Sequence, residues 1–388
     1  MSKITKAYLL CAPMLVFLAV FFFAPVSVML SKSVWDTRVV NALPETVESL
    51  RGWDHHSPPG APTYASFGRD IMKASPGALS DLGARLNQDI PGFRGLMSKT
   101  SRSLRTGKED GLTAQDFEAI SPVWSEPATW AAIADASSPW TLRYLLASID
   151  LRVVDGRLEY IDRRDAIYRD VLLRSLWVSF VTAILTICVS YPLAYYMSLR
   201  SEKIQNILFI LVLLPFWTST LVNTFAWFSF FKQGGVLSVV ASSLFGLESV
   251  PSLLFTRTAV YIGFVQLLMP VATLPMFAGM KNISPNYVKA ALSLGASPAS
   301  AFWKVYFPLT YPVIGAAGML VFALSLGNYV LPLVLGGSAD QMVSSFISLF
   351  TVKTSNEPMA AALSVWLLAA TICGFSIYGY MLSRSRTR

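Results

Sequence analysis

The sequence predicts an all-α polytopic membrane protein of about six spans, with a large insertion, mainly helical with one hairpin, between the first two. Three observations carry this. Hydrophobic residues form 54% of the 388 and charged residues only 14%, against roughly a quarter charged in a soluble domain. Six apolar stretches approach or exceed the roughly 20 residues that cross a bilayer: Ala7–Met29, Ser175–Ser198, Gln205–Phe231, Ala259–Met280, Thr310–Leu335 and Met359–Ser383. None contains Asp, Glu, Lys, Arg or His, so helices buried in a soluble core would be left without a polar face.

The first stretch reads as a retained helix. Its apolar run outlasts that of a signal peptide, and no clear small-x-small cleavage site follows. Lys32 and Trp35 suit the membrane interface. Ser33–Arg169 holds 18 acidic and 16 basic residues, leaving 5 acidic and 15 basic for the rest of a chain of net charge +8. The excess positive charge therefore sits at span ends, as topology demands, and not on a nucleic-acid-binding face. With the N-terminus inside, inner segments carry ten cations (Lys3, Lys6, Arg200, Lys203, Lys281, Lys289, Lys304, Arg384, Arg386 and Arg388) and short outer ones carry Lys232, Arg257 and Lys353. Both termini are then cytoplasmic and the insertion lies outside.

The domain plan is residues 1–32 as first span, 33–169 as outer (periplasmic) domain and 170–388 as a five-helix core. Within the outer domain, helices are expected near Leu79–Asp89, Ala114–Ile120, Ala128–Ala136 and Trp140–Ile149. Leu151–Ile161 reads as a hairpin turning at Asp155-Gly156. Ser57–Pro62 and Ser101–Gly111 read as loops. Cys11, Cys188 and Cys373 lie in spans and read as packing residues, with no disulfide framework or metal spacing. His55 and His56 read as ordinary loop residues.

Function is narrowed partly by absence. Ion-coupled carriers commonly place ionisable groups in the membrane, and no span has one. There is no GxxxxGK[ST] loop, H-E-x-x-H or G-x-S-x-G. The chain is thus expected to be no enzyme, to hold no cofactor or metal, and to take energy for any uphill transport from a partner.

The inner loop Lys281–Leu309 is the most informative segment. Ser284 or Asn286 can cap a helix through Tyr287–Leu294, Gly295 can end it, and Ser297-Pro298 can start a second. Phe307-Pro308 is expected to break that second helix. Ala290 and Ala291 allow a close approach. On shape alone the loop serves either as a knob for a partner or as an amphipathic connection. The run Lys289-Ala290-Ala291, Gly295-Ala296, Phe302 and Phe307-Pro308 resembles the EAA loop of binding-protein-dependent ABC transporter permeases, with Lys289 where that family usually has Glu. Leu213–Ser219, Ala226-Trp227, Gly234–Leu237 and Ser325–Gly337 are similar to the spermidine/putrescine branch, and the resemblance covers Val171 to Ser383.

The resemblance implies the type I importer fold in a bacterial inner membrane. It implies a second permease, two ATPase subunits holding ATP and Mg at the loop, and a periplasmic solute-binding protein. Trp217, Asn223, Trp227, Gln266, Asn328 and Tyr329 are candidates for a translocation path between the permeases. Each amide should face a partner or water. The aromatics serve either as faces for cationic amines or as packing and interfacial anchors. Without an intramembrane carboxylate, selectivity for a polycation would rest on the binding protein. Rival readings are a membrane scaffold or sensor and an ion-coupled carrier.

Overall fold

The computed structural model describes residues 3–54, 57–106, 112–154, 157–162, 166–245 and 252–386. It divides into two units: Met1–Glu159 with Phe350–Ala362, and Tyr160–Leu349 with Leu363–Arg388.

In the first unit, α1 (Cys11–Ser31) is apolar and none of it is buried. It carries a π-turn at Ala19–Phe23, where the Ala24 N–H donates to the Ala19 carbonyl. Pro25 follows closely. A proline removes a donor and crowds the carbonyl four residues back, and a widened turn relieves both.

The insertion after α1 has its own core. Tyr64, Phe67, Phe93, Phe117, Trp124 and Trp130 are each at most 1% exposed and pack ring against ring. Their polar ends are bonded as burial requires. The Tyr64 hydroxyl and the Trp130 indole both donate to the Trp124 carbonyl, at 3.0 and 2.8 Å, and the Trp124 indole donates to Thr100.

The entry and exit of the insertion are clasped. Trp35 bridges Trp140, and Arg38 forks onto Asp36 at 2.9 and 2.8 Å while the Tyr144 hydroxyl donates to the same carboxylate at 2.6 Å. Burial alone would raise Asp36, but the hydrogen bonds and charge of Arg38, with Tyr144, hold it at about 2. Burial pushes the Tyr144 phenol up to about 12. Arg85 bridges Asp36 and Asp89, and Arg143 also pairs with Asp89.

The insertion differs from its sequence reading in places. Ser101 to Thr106 is not loop: it completes the helix Phe93–Thr106, because Thr100 and Leu104 are buried. Pro62 lies in the first turn of the helix Ala61–Lys73. The expected helices appear as Pro76–Leu86, Ala114–Ile120, Pro127–Asp135 and Arg143–Ala147. Strands Leu151–Val154 and Arg157–Tyr160 pair; their turn, Asp155-Gly156, lies outside the described residues, as do His55 and His56.

The second unit is built on α2 (Tyr168–Ser198). The pair α3 (Glu202–Trp217) and α4 (Thr220–Phe231) follows, bent by 93°. The continuous span expected over Gln205–Phe231 is therefore corrected. Pro215 tightens the end of α3 into a 3-10 turn, and Thr218 and Ser219 are extended. The Ser219 hydroxyl accepts from the Val222 N–H and restarts the helix.

Then come α5 (Arg257–Lys281), α6 (Asn286–Ser293), and α7 (Pro298–Leu309), which meets α8 (Tyr311–Gly327) at a 57° bend. The expected break at Pro308 is also corrected. A π-turn at Phe302–Tyr306 carries the helix past the proline, and the bend falls at Thr310. The stretch Thr310–Leu335 is interrupted as well. Asn328 is extended, and its side chain accepts from the Val330 and Leu331 N–H groups, starting α9 (Val330–Leu335). The last span is α10 (Glu357–Arg386). Among the described residues, four unbroken helices are long and apolar enough to cross a membrane, or six spans if each bent pair counts as one.

The core of this unit lies where α2, α5, α8 and α9 meet, with Val178, Ala194, Phe264, Ala272, Ala317, Val321 and Leu335 almost fully buried. Small residues let the backbones approach closely, as membrane helix packing requires. The opposite faces expose Trp177, Phe180, Ile184, Val189 and Phe225. Such surfaces suit lipid or another membrane subunit. Cys11, Cys188 and Cys373, expected as packing residues, are also exposed, so they do not pack in the core of this chain.

Candidate functional site

Two constellations stand out in the second unit. The first is the loop between α5 and α8. The α6 helix ends in a Schellman arrangement: Gly295 takes φ +87, its N–H donates to the Leu292 carbonyl, and the Ala296 N–H donates to the Ala291 carbonyl. A side chain at this φ would be strained, so glycine sets the turn into α7. There the Ser297 hydroxyl accepts from the Ser300 N–H, with Pro298 in the first turn.

This two-helix knob is unusually bare. No residue of α6 is buried, and Tyr287, Leu292 and Leu294 are 57%, 41% and 89% exposed. Tyr287, Ala290, Ala291 and Leu294 follow the spacing of one helix face. Lys289 and Ala290 are exposed, Ala291 and Ala296 half-buried. Lys289 forms no ion pair among the described residues. Phe302 lies inward, ring to ring with Tyr195 of α2, and half-buried Pro308 lies beyond the π-turn. An apolar face left open on a loop that carries Lys281, Lys289 and Lys304 can receive a protein surface.

The second constellation joins three sequence candidates. The Asn223 amide and the Trp227 indole both donate to the Gln266 side-chain oxygen, at 3.0 and 3.1 Å. Indole nitrogen only donates, so Gln266 must turn its oxygen inward. Its amino group and the Asn223 oxygen then remain as a donor and an acceptor without a hydrogen bond among the described residues. All three residues are half-buried. Trp227 also stacks on Phe231 at 5.0 Å.

The other candidates lie apart. Trp217, 71% exposed, ends α3. The Asn328 side chain is occupied in starting α9. Tyr329 is 40% exposed. Two features escaped the sequence reading. Arg257 pairs with buried Asp340 at 2.8 Å, and Tyr191 and Tyr195 of α2 meet the rings of α7. The tyrosine spacing of four was visible in the sequence; the partner rings were not.

Comparison with known proteins fits this arrangement. The family of binding-protein-dependent transport system inner membrane components matches residues 190–387. The spermidine/putrescine transport system permease protein PotB of Haemophilus influenzae is 32% identical over 209 residues, 54% of this chain and 73% of that protein. Its Salmonella typhimurium counterpart is 29% identical over 203 residues, covering 52% and 71%. The inner membrane ABC transporter permease protein YdcU of Escherichia coli is 28% identical, covering 50% and 66%. A chain of a bacterial ABC transporter involved in alginate import superposes on 56% of this chain and 79% of its own at a TM-score of 0.49 and 14% identity. The family match disfavours the scaffold, sensor and ion-coupled readings. The chain belongs to the inner membrane components of binding-protein-dependent transport systems and is a permease subunit of such an importer.

Proposed function

We propose that this permease is driven by ATP bound with Mg on a partner ATPase dimer, and that α6 and α7 are the knob received by that ATPase. The open face of α6 carries the reading: Leu294 at 89% exposure and Tyr287 at 57% are held out by a terminated, rigid turn. Burying a side chain such as Leu294 contributes roughly 1.5–3 kcal/mol. The positive-inside distribution supports a cytoplasmic loop and cytoplasmic termini, with the insertion in the periplasm, where in this reading a solute-binding protein docks and the insertion helps to retain it. The exposed faces of α2 and α4 pair with a second permease, a heterodimer partner in this reading.

The solute is a polyamine or a related small polar compound. The named relatives support that class, and the Asn223–Trp227–Gln266 cluster offers an open carbonyl oxygen and aromatic faces, both suited to amines. Trp217, Asn328 and Tyr329 are assigned to the same path in this reading, Asn328 by starting α9 beside Tyr329.

Affinity purification from native membranes tests the knob. The wild-type chain brings down a P-loop ATPase, identified by peptides spanning its GxxxxGK[ST] motif. Leu294→Asp places a charge in the contact and reduces recovery by about tenfold or more, since a desolvated unpaired charge costs several kcal/mol. Equal recovery with Leu294→Asp contradicts the assignment.

A further inference from the structure

The loop is tied to the permease core by more than its own chain. Tyr195 of α2 places its ring 5.2 Å from Phe302 and 5.2 Å from Tyr306, edge-on to both. One turn along the same face, Tyr191 meets Phe307 at 5.5 Å. Phe302 and Tyr306 stack at 5.9 Å across the π-turn, and that widened turn sets both rings against α2. The Tyr191 hydroxyl lies 3.3 Å from the Thr310 hydroxyl. Thr310 donates to the Phe307 carbonyl at 2.6 Å, so its proton is committed and Tyr191 is the donor. Thr310 is fully buried and marks the 57° bend between α7 and α8.

We propose that these rings, Tyr191 and Tyr195 against Phe302, Tyr306 and Phe307, are the linkage that makes α2 follow the loop. Tyr191 and Tyr195 are then positioning residues for transport. The inference rests on the reading that α6 and α7 receive the ATPase. Covalently, motion of α7 reaches α8 through Thr310 and α5 through α6, and the bend and turns at those joints can absorb it by pivoting. The ring contacts tie the same motion to α2, which packs along both α5 and α8. Discrete packed contacts of this kind carry coupling between sites only if both sides move together. The linkage uses ring faces and edges at Tyr195, so phenylalanine there suffices.

The test uses the complete transporter in proteoliposomes, with permeases, ATPase and solute-loaded binding protein. It reads ATPase recovery, ATP hydrolysis and solute uptake. Tyr195→Ala is expected to retain the ATPase and hydrolyse ATP, while uptake per ATP falls by about tenfold, within the usual range of coupling between sites. Tyr195→Phe behaves as wild type. Tyr195→Leu keeps much of the bulk and reproduces the uncoupling if the alanine variant fails to accumulate. Wild-type uptake per ATP in both Tyr195→Ala and the Tyr191→Ala/Tyr195→Ala double variant overturns the linkage. So does equal impairment in Tyr195→Phe. Loss of the ATPase from the wild-type transporter overturns the docking reading itself, a distinct result.

Discussion

Gly279→Val sharply reduces accumulation of a folded permease core. Gly279 lies near the end of α5, where that helix crosses α8. A Cβ atom there would stand 2.1 Å from Val313 Cγ1 and 3.0 Å from Val313 Cβ. Neither is the far end of a flexible side chain, since a β-branched residue in a helix has one strongly preferred rotamer. The helices must separate, and overpacking of this kind costs about 1–3 kcal/mol and sometimes more. The effect reaches the C-terminal end of α5, from which the loop to α6 departs. Size-exclusion profiles and thermal unfolding of the detergent-solubilised chain measure it. The expected result is a large loss of monodisperse protein, partly restored by Val313→Ala in the same chain, because contacting residues couple. A Gly279→Val chain as stable as wild type would show that α5 and α8 do not meet in this way.

Gln266→Leu abolishes most uptake and leaves the ATPase attached. Among the described residues, the side-chain oxygen of Gln266 is the single acceptor for the Asn223 amide and the Trp227 indole. Leucine removes it and orphans two donors, at roughly 1–3 kcal/mol each where they are desolvated. Asn223 and Trp227 must then turn elsewhere, so the cluster loses its open donor with the Gln266 amide and no longer holds the Asn223 oxygen in place. Uptake by the assembled transporter is expected to fall by about tenfold or more, the equivalent of 1.4 kcal/mol, with ATPase recovery unchanged because α6 and α7 are untouched. Gln266→Glu keeps an acceptor and retains more activity than the leucine variant. Normal uptake in Gln266→Leu would remove the cluster from the path.

Much of the core was legible because hydrophobic length is a direct consequence of bilayer thickness. What hydropathy cannot register is a change of direction inside an apolar run. The 93° turn after Trp217 and the interruption at Asn328 fall in stretches as apolar as any other, and only Pro215, Ser219 and the Asn328 side chain mark them. The insertion illustrates the opposite difficulty. The helix Phe93–Thr106 carries so many Ser and Arg residues that its end reads as a loop, yet Phe93, Met97, Thr100 and Leu104 are buried and supply the helical stripe. The spacing of Tyr64, Phe67 and Ile71 was there to be read, but Pro62 and Gly68 obscured it.

The functional residues divide along the same line. Asn223 and Gln266 are conspicuous because amides in apolar spans need partners. That they share one oxygen with Trp227 depends on how α4 crosses α5, which no local pattern encodes. The Gly295 turn, by contrast, is local, so its place between two short helices was readable. Tyr195 had no local reason to be noticed. Its meaning comes from rings more than a hundred positions later.

The most direct test of ATP-driven import is uptake into proteoliposomes holding this permease, its second permease and the ATPase, with ATP trapped on the side of the α6–α7 loop and loaded binding protein on the other. Spermidine or putrescine serves as the first probe. The account predicts accumulation that requires the ATPase, hydrolysable ATP and the binding protein together, and that persists when ion gradients are collapsed. Accumulation that survives removal of ATP and follows an imposed ion gradient instead would contradict it.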